Sequence, residues 1–271
     1  MRKYLLGVIL ILLGNICCIN HVFSANGQSV TDKDSVFLQQ MYDTVMKHVE
    51  YADRLVYFKH FLDEARKRQN AHYEATALFL IARHYYSGKI DSLVYYMNQA
   101  LPLLYEQNRL EEMFRMKGWY AYVLIRSKNN KEALDSINSL KRLSVDLDYP
   151  DGTDMANQAL ADYYLSNNLK NEGLALYEEV LDGMVKRNAP LVRRVYIIRQ
   201  LLNKSPDMNK RLEYLNLLKG YLDQCDQEGI EQLDDENPLS SLKYIMNRGF
   251  GQVYIALHQY DLALTHIKRA E

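Results

Sequence analysis

Proline and glycine are scarce in this chain of 271 residues, at 5 and 12 respectively, about half their usual combined share of ~12%. That scarcity argues against a turn-rich β-sandwich or barrel and for long helices. An excess of either charge is missing too: 33 Lys+Arg stand against 34 Asp+Glu, so there is no electrostatic case for nucleic acid, which is met by a strongly basic face. With 48% hydrophobic residues the chain is not low-complexity disorder. The motifs of common enzymes are absent as well, with no glycine-rich phosphate loop, no Gly-x-Ser-x-Gly elbow and no His-Glu-x-x-His pair. The seven histidines are scattered singly, and His84 beside Tyr85 and Tyr86 reads as a packing residue. No catalytic residue, cofactor or metal ligand is indicated.

Two acidic segments invite a metal reading. Asp146–Asp154 resembles a calcium loop only superficially, because Asp151 and Asn157 stand where such a loop needs glycine and a bidentate glutamate. It reads instead as a turn in which an Asp or Thr153 caps the next helix. The run from Asp223 through Asp226 to Glu236 lacks a chelating spacing and is a solvated connection, with partner contact as its alternative use.

The first residues are an address. Met1-Arg2-Lys3 is a basic start, and the apolar stretch 4–19 is shorter than the ~20 residues of a spanning helix. Val22-Phe23-Ser24 places modest residues at the spacing a signal peptidase reads, so residues 1–24 are expected to be a signal peptide and residues 25–271 the mature domain. An uncleaved anchor is the alternative; a lipid attached at Cys17 or Cys18 is disfavoured by the residues before them. Cleavage leaves 31 basic against 34 acidic residues, a net charge of −3, and Cys225 alone. An exported chain with one thiol is held by packing rather than disulfides. Flanked by Asp223 and Asp226, Cys225 is expected to be idle, partly buried at a helix end.

Self-similarity appears at one fixed set of offsets. Gly251 is followed by Tyr254, Ala263, Ile267 and Ala270; Ala161 by Tyr164, Gly173, Tyr177 and Val180; Ala121 by Leu124, Ala133, Ile137 and Leu140. From Ala82 the ruler reads Tyr85 and then runs one residue short, through Leu93, Met97 and Ala100. Small residues let two antiparallel helices approach closely, and the next hairpin covers the remaining apolar face. This pattern resembles the tetratricopeptide repeat. The anchors lie 39 and 40 residues apart, against ~34 in that family, so longer helices or loops are expected.

The resemblance implies an all-α, right-handed solenoid of about six helix pairs: roughly 33–68, 71–106, 110–147, 153–186, 190–225 and 238–271. Pro190, Pro206 and Pro238 read as first-turn prolines, with Ser205 and Asn237 as caps. Pro102 is expected to kink or end its helix. The chain reaches Glu271 without the polar capping helix such arrays normally carry, which predicts a truncated array.

Repeats of this family use the face of their first helices for peptides. One residue beyond each small anchor lie Arg83, Tyr122, Asp162 and Gln252, with Arg115, Arg126, Arg194, Arg199 and Arg248 near them. Arginines beside aromatics suit carboxylates, so the expected ligand groove is Arg83, Tyr122, Arg126, Arg199 and Arg248. Ion pairing of these arginines with neighbouring helices is the competing reading. Most of the 22 tyrosines, Tyr163, Tyr164 and Tyr177 among them, are expected in the core. Exported arrays of this kind resemble the periplasmic sensory part of Gram-negative membrane-anchored signalling proteins. The expectation is therefore a non-enzymatic periplasmic module for a protein or peptide ligand, touching the membrane only through a segment beyond residue 271. A free scaffold for envelope assembly is the alternative, and an enzyme in a helical toroid is the least supported.

Overall fold

The computed structural model describes residues 32–50, 53–86, 88–231 and 238–270. The expected signal segment 1–24, with its expected cleavage site, lies outside the described residues. Twelve helices and no strand are found among those described. They are α1 Asp32–His48, α2 Arg54–Lys67, α3 Ala71–Tyr85, α4 Ile90–Glu106, α5 Leu110–Arg126, α6 Asn130–Asp146, α7 Pro150–Ser166, α8 Lys170–Lys186, α9 Leu191–Lys204, α10 Met208–Gln227, α11 Leu239–Ala256 and α12 Tyr260–Ala270. These are the six expected pairs, in order, and the fold is a solenoid of helix hairpins.

From α4 to α8 the rhythm is strict: helices of 17 residues joined by three-residue turns. Each turn is built the same way. Asn108, Lys128, Asp148, Asn168 and Asn188 all have positive φ, between 46° and 63°. In each case the next residue's N–H reaches back along the helix end, as in Leu169 N–H to the Tyr164 carbonyl at 2.9 Å and Asn129 N–H to the Leu124 carbonyl at 3.0 Å. That is the Schellman closure, which satisfies carbonyls left open at a helix end. Glycine is its usual residue, and this chain does without it at nearly every turn, which is how so little glycine serves so many helices. The 40-residue period follows from two such half-repeats of 20.

The chain parts into two compact units, the first ending at Ile81 and the second starting at Ala82, inside α3. In the first, Leu38, Phe58, Phe61, Leu62, Ala65 and Leu78 are buried. Tyr73 sets its ring edge-on to Phe61 at 5.9 Å, and Asn70 caps α3 by accepting the Tyr73 N–H at 3.2 Å.

In the second unit the small anchors are where the helices touch. Ala82, Ala100, Ala121, Ala133 and Ala161 are fully buried, and Ala263 is 2% exposed. Gly173 faces the Ala161 carbonyl, and Gly251 faces that of Ala263, so the two small residues twelve apart meet across one hairpin. The aromatics fill beside them: Tyr85 stacks on Tyr96 at 5.8 Å, Tyr164 leans on Tyr163 at 6.2 Å, and Tyr254 stacks on Phe250 at 5.9 Å. Ala270 is only half-buried.

Several local expectations are corrected. The fourth pair begins at Pro150, not residue 153, with proline in the first turn and no side-chain cap at Tyr149. Thr153 is no cap; its hydroxyl meets that of Ser144 at 2.8 Å. Pro102 does not end α4, which runs on to Glu106, its last turns held by buried Ala100 and Leu104. Ser205 closes α9, and Asp207 caps α10 by accepting N–H groups of Asn209 and Lys210 at 2.8 and 3.3 Å. Pro190 and Pro238 stand at the N-cap itself, just before the first turn. Cys225 is fully buried rather than half-buried, and burial pushes its thiol up from the ordinary value.

Candidate functional site

On α5, Arg115, Trp119, Tyr122 and Arg126 fall at i, i+4, i+7 and i+11, one stripe of a helix. Arg115 lies over the Trp119 ring at 5.8 Å and Arg126 over that of Tyr122, also at 5.8 Å. Tyr86, just past α3, stacks on Trp119 at 5.6 Å and tilts against Tyr122 at 6.2 Å. The stripe is thus an aromatic patch bracketed by two guanidinium groups.

The patch continues along the following first helices. Asp162 of α7 accepts a hydrogen bond from the Tyr177 hydroxyl at 2.9 Å and an ion pair from Lys204, at the end of α9, at 2.6 Å. The Lys204 ammonium sits 5.6 Å over the Tyr177 ring. Burial, followed by the Asp162 charge, raises the Tyr177 phenol far above its ordinary value. Tyr196 of α9 lies within electrostatic reach of Asp162, Tyr86, Tyr122 and Arg199. It is 49% exposed, yet desolvation, with Asp162 second, pushes its phenol up to about 12. One face, built by α5, α7 and α9 with Tyr86 at its edge, thus carries aromatic rings, cations and one carboxylate.

The expected groove residues divide accordingly. Tyr122 and Arg126 are in direct contact, and Tyr196 lies within electrostatic reach of both Tyr122 and Arg199. Arg83 sits half-buried in the last turn of α3, and Arg248 is exposed on α11. The reading from sequence missed Tyr86, Trp119 and Tyr196. The spacing from Arg115 to Arg126 already put Trp119 on the stripe. Tyr86 and Tyr196 needed the helix order in space; of the described tyrosines only Tyr177 and Tyr214 are buried, and Tyr163 and Tyr164 are half-buried, which corrects the assignment of tyrosines mainly to the core.

Ion pairing with neighbouring helices also occurs, at a different place. Arg193 of α9, only 13% exposed, binds Asp151 at 2.5 Å and Glu111 at 3.2 Å, and donates to the Tyr149 hydroxyl at 3.3 Å. Arg187 binds Asp154 and, at 3.9 Å, Asp151. Asp151 and Asp154 at the start of α7 thus tie that helix to Arg193 of α9 and to Arg187 at the end of α8. Burial raises the Asp154 carboxyl, and Arg187 opposes that shift. Arg194, expected near the groove, packs on Tyr221 of α10 at 4.8 Å instead. No cluster suited to a metal ion is found among the described residues, and no described helix is long and apolar enough to cross a membrane. Asp223 and Asp226 pair with Lys219 and Lys243, each at 2.6 Å; residues 232–237 of that acidic run lie outside the described residues.

The architecture defines a helical-repeat protein of tetratricopeptide-like fold. Among solved structures the chain is similar to a Rap protein in complex with Competence and Sporulation Factor, at 14% identity over 87% of this chain and 71% of that one, TM-score 0.50. It is also similar to BtubC (BKLC) from P. vanneervenii, at 13% identity over 89% of this chain and 90% of that one, TM-score 0.51. At such identities the likeness is one of fold. No protein-family model matches the sequence, and no curated protein matches it.

Proposed function

We propose that the face built by α5, α7 and α9 binds an extended protein or peptide segment bearing carboxylate and aromatic or apolar side chains, and that the module is non-enzymatic. The observation that carries this is the patch of Tyr86, Trp119 and Tyr122 bracketed by Arg115 and Arg126, with Tyr196 and Arg199 in electrostatic reach. Rings offer large, rigid contact area, guanidinium groups pair with carboxylates in a fixed geometry, and both cost little ordering on binding. Asp162 is already engaged by Tyr177 and Lys204, which offsets its charge toward an acidic ligand. The fold's likeness to a Rap protein bound to its factor supports a binding role on general grounds. The exposed cations are screened by salt, so affinity falls with ionic strength.

The proposed setting is the periplasm, with this module as the input part of a longer membrane-anchored signalling protein; a free scaffold for envelope assembly is the second setting. N-terminal sequencing of the periplasmic form tests export: a start at Ala25 or Asn26 supports it, and an intact Met1 refutes cleavage.

The binding reading is tested with a displayed random-heptamer library selected on the purified protein. Enriched peptides should carry Asp or Glu beside an aromatic residue. Replacing Arg115 and Arg126 by Ala should weaken them severalfold with little change in melting temperature. Selection of no acidic motif, or loss of stability with binding intact, would overturn the assignment.

A further inference from the structure

Gly118 sits on the α5 stripe without a packing reason. It falls three residues after Arg115 and four before Tyr122, so it shares their side of the helix, next to Trp119. A glycine inside a helix costs stability unless a positive φ or a close approach requires it. Gly173 and Gly251 face a neighbouring backbone at the hairpin crossings. Gly118 has no positive φ, and a β-carbon added there would meet no atom of the described residues within 4 Å. Gly220 is equally unhindered but open to solvent, whereas Gly118 is half-buried. At the same register the other first helices carry Phe79, Gln158 and Arg248; α5 alone of these four leaves the place bare.

The bare step lies between Arg115 and Tyr122, with Trp119 beside it and Arg126 one turn beyond Tyr122. Room for a missing side chain, next to two aromatic rings and a guanidinium group, suits a large flat apolar group. We infer that Gly118 is the seat of an aromatic side chain of the bound segment, which carries a carboxylate two residues to either side of it. This rests on the acidic-ligand reading above and narrows it to an extended acid-x-aromatic-x-acid sequence. Alternate residues of an extended strand point the same way, so all three side chains face α5 together. The two acids then stand about 13 Å apart, at ~3.3 Å per residue. Arg115 and Arg126 start about 16 Å apart along the helix, at ~1.5 Å per residue. Each leans inward, over the ring one turn nearer the other, which brings the two guanidinium groups toward the span of the acids.

Fluorescence anisotropy of the purified full chain with the fluorescein-labelled synthetic peptide Gly-Ser-Glu-Ser-Phe-Ser-Glu-Ser-Gly tests this. Gly118→Gln, which fills the seat, should weaken the peptide about tenfold. It should leave the melting temperature equal to the parent's or higher, since glutamine is the better helix former. Exchanging the peptide's phenylalanine for alanine should cost the parent about as much, and should cost Gly118→Gln nothing further. Moving one glutamate to the place beside the phenylalanine turns it to the opposite side of the strand and should weaken binding severalfold. Gly220→Ala should bind as the parent does. A Gly118→Gln variant that binds like the parent, or a phenylalanine exchange without effect, would overturn the seat. If binding still fell with Arg115→Ala and Arg126→Ala in that case, the acidic-ligand reading would stand without it. Failure of every acidic peptide to bind would overturn both.

Discussion

Replacing Gly173 by alanine should destabilise the protein, although alanine is the better helix former. Gly173 lies inside α8, where propensity alone favours alanine by about 0.8–1 kcal/mol. A β-carbon at this position would sit 2.6 Å from Leu165 Cγ and 2.9 Å from the Ala161 carbonyl oxygen. The leucine could turn away, but the carbonyl belongs to the backbone of α7 and moves only if the hairpin opens. Overpacking of that kind costs about 1–3 kcal/mol. The net expectation is a loss of up to about 2 kcal/mol, or as much as roughly 8 °C in melting temperature at about 2–4 °C per kcal/mol. Gly220 supplies the control, since it lies inside α10 and a β-carbon added there would meet nothing within 4 Å. Gly220→Ala should therefore gain up to about 1 kcal/mol. Urea melts of the two variants, read by far-ultraviolet circular dichroism, should move in opposite directions. If Gly173→Ala rose together with Gly220→Ala, the close helix approach assigned to the repeat's small residues would be wrong.

Three further outcomes are expected. Lys128, at φ +57°, carries a side chain where the backbone favours none, so Lys128→Gly should stabilise by about 0.5–1 kcal/mol, measured by urea midpoint. Ala263→Leu should cost about 1–3 kcal/mol, because this 2%-exposed residue faces Gly251 across the last hairpin; a variant melting with its parent would put the repeat register in error. His266 stacks on Phe250 at 4.5 Å and shares a 3.0 Å hydrogen bond with Asn247. Desolvation, followed by the Arg269 charge, holds its imidazole below the ordinary value of 6.5. The folded state therefore prefers the neutral ring. That stabilisation is fully present above pH 6.5 and declines as pH falls through the unfolded-state value toward the folded one. Protection of the α12 amides, taken relative to their intrinsic exchange rates, should fall over that window in the parent, and His266→Gln should flatten the response.

Spacing alone determined a good deal. The offsets linking Ala161 to Gly173 and Gly251 to Ala263 located the hairpins, since a close helix crossing admits only small residues and repeats them at a fixed interval. The six pairs and the order of their helices follow from that. The turns carry little signal in residue type, because glycine is the usual left-handed residue at a helix end, whereas Lys128, Asp148 and His258 take that conformation under the closing hydrogen bonds of the turn. Pro102 misled for a related reason: burial of Ala100 and Leu104 outweighs one missing hydrogen bond.

The candidate face was half legible. Tyr122 and Arg126 share a helix stripe that can be counted along the chain. Tyr86 and Tyr196 lie 36 residues before and 74 after Tyr122, and only the stacking of successive hairpins brings them to it. The competition between binding and ion pairing was likewise decided in space. Arg193 and Arg187 found carboxylates at the ends of neighbouring helices, while Arg126 came to rest on a tyrosine ring. Residue type specifies that a guanidinium group seeks a carboxylate or a π-face; which of the two lies within reach is a property of the packed helices.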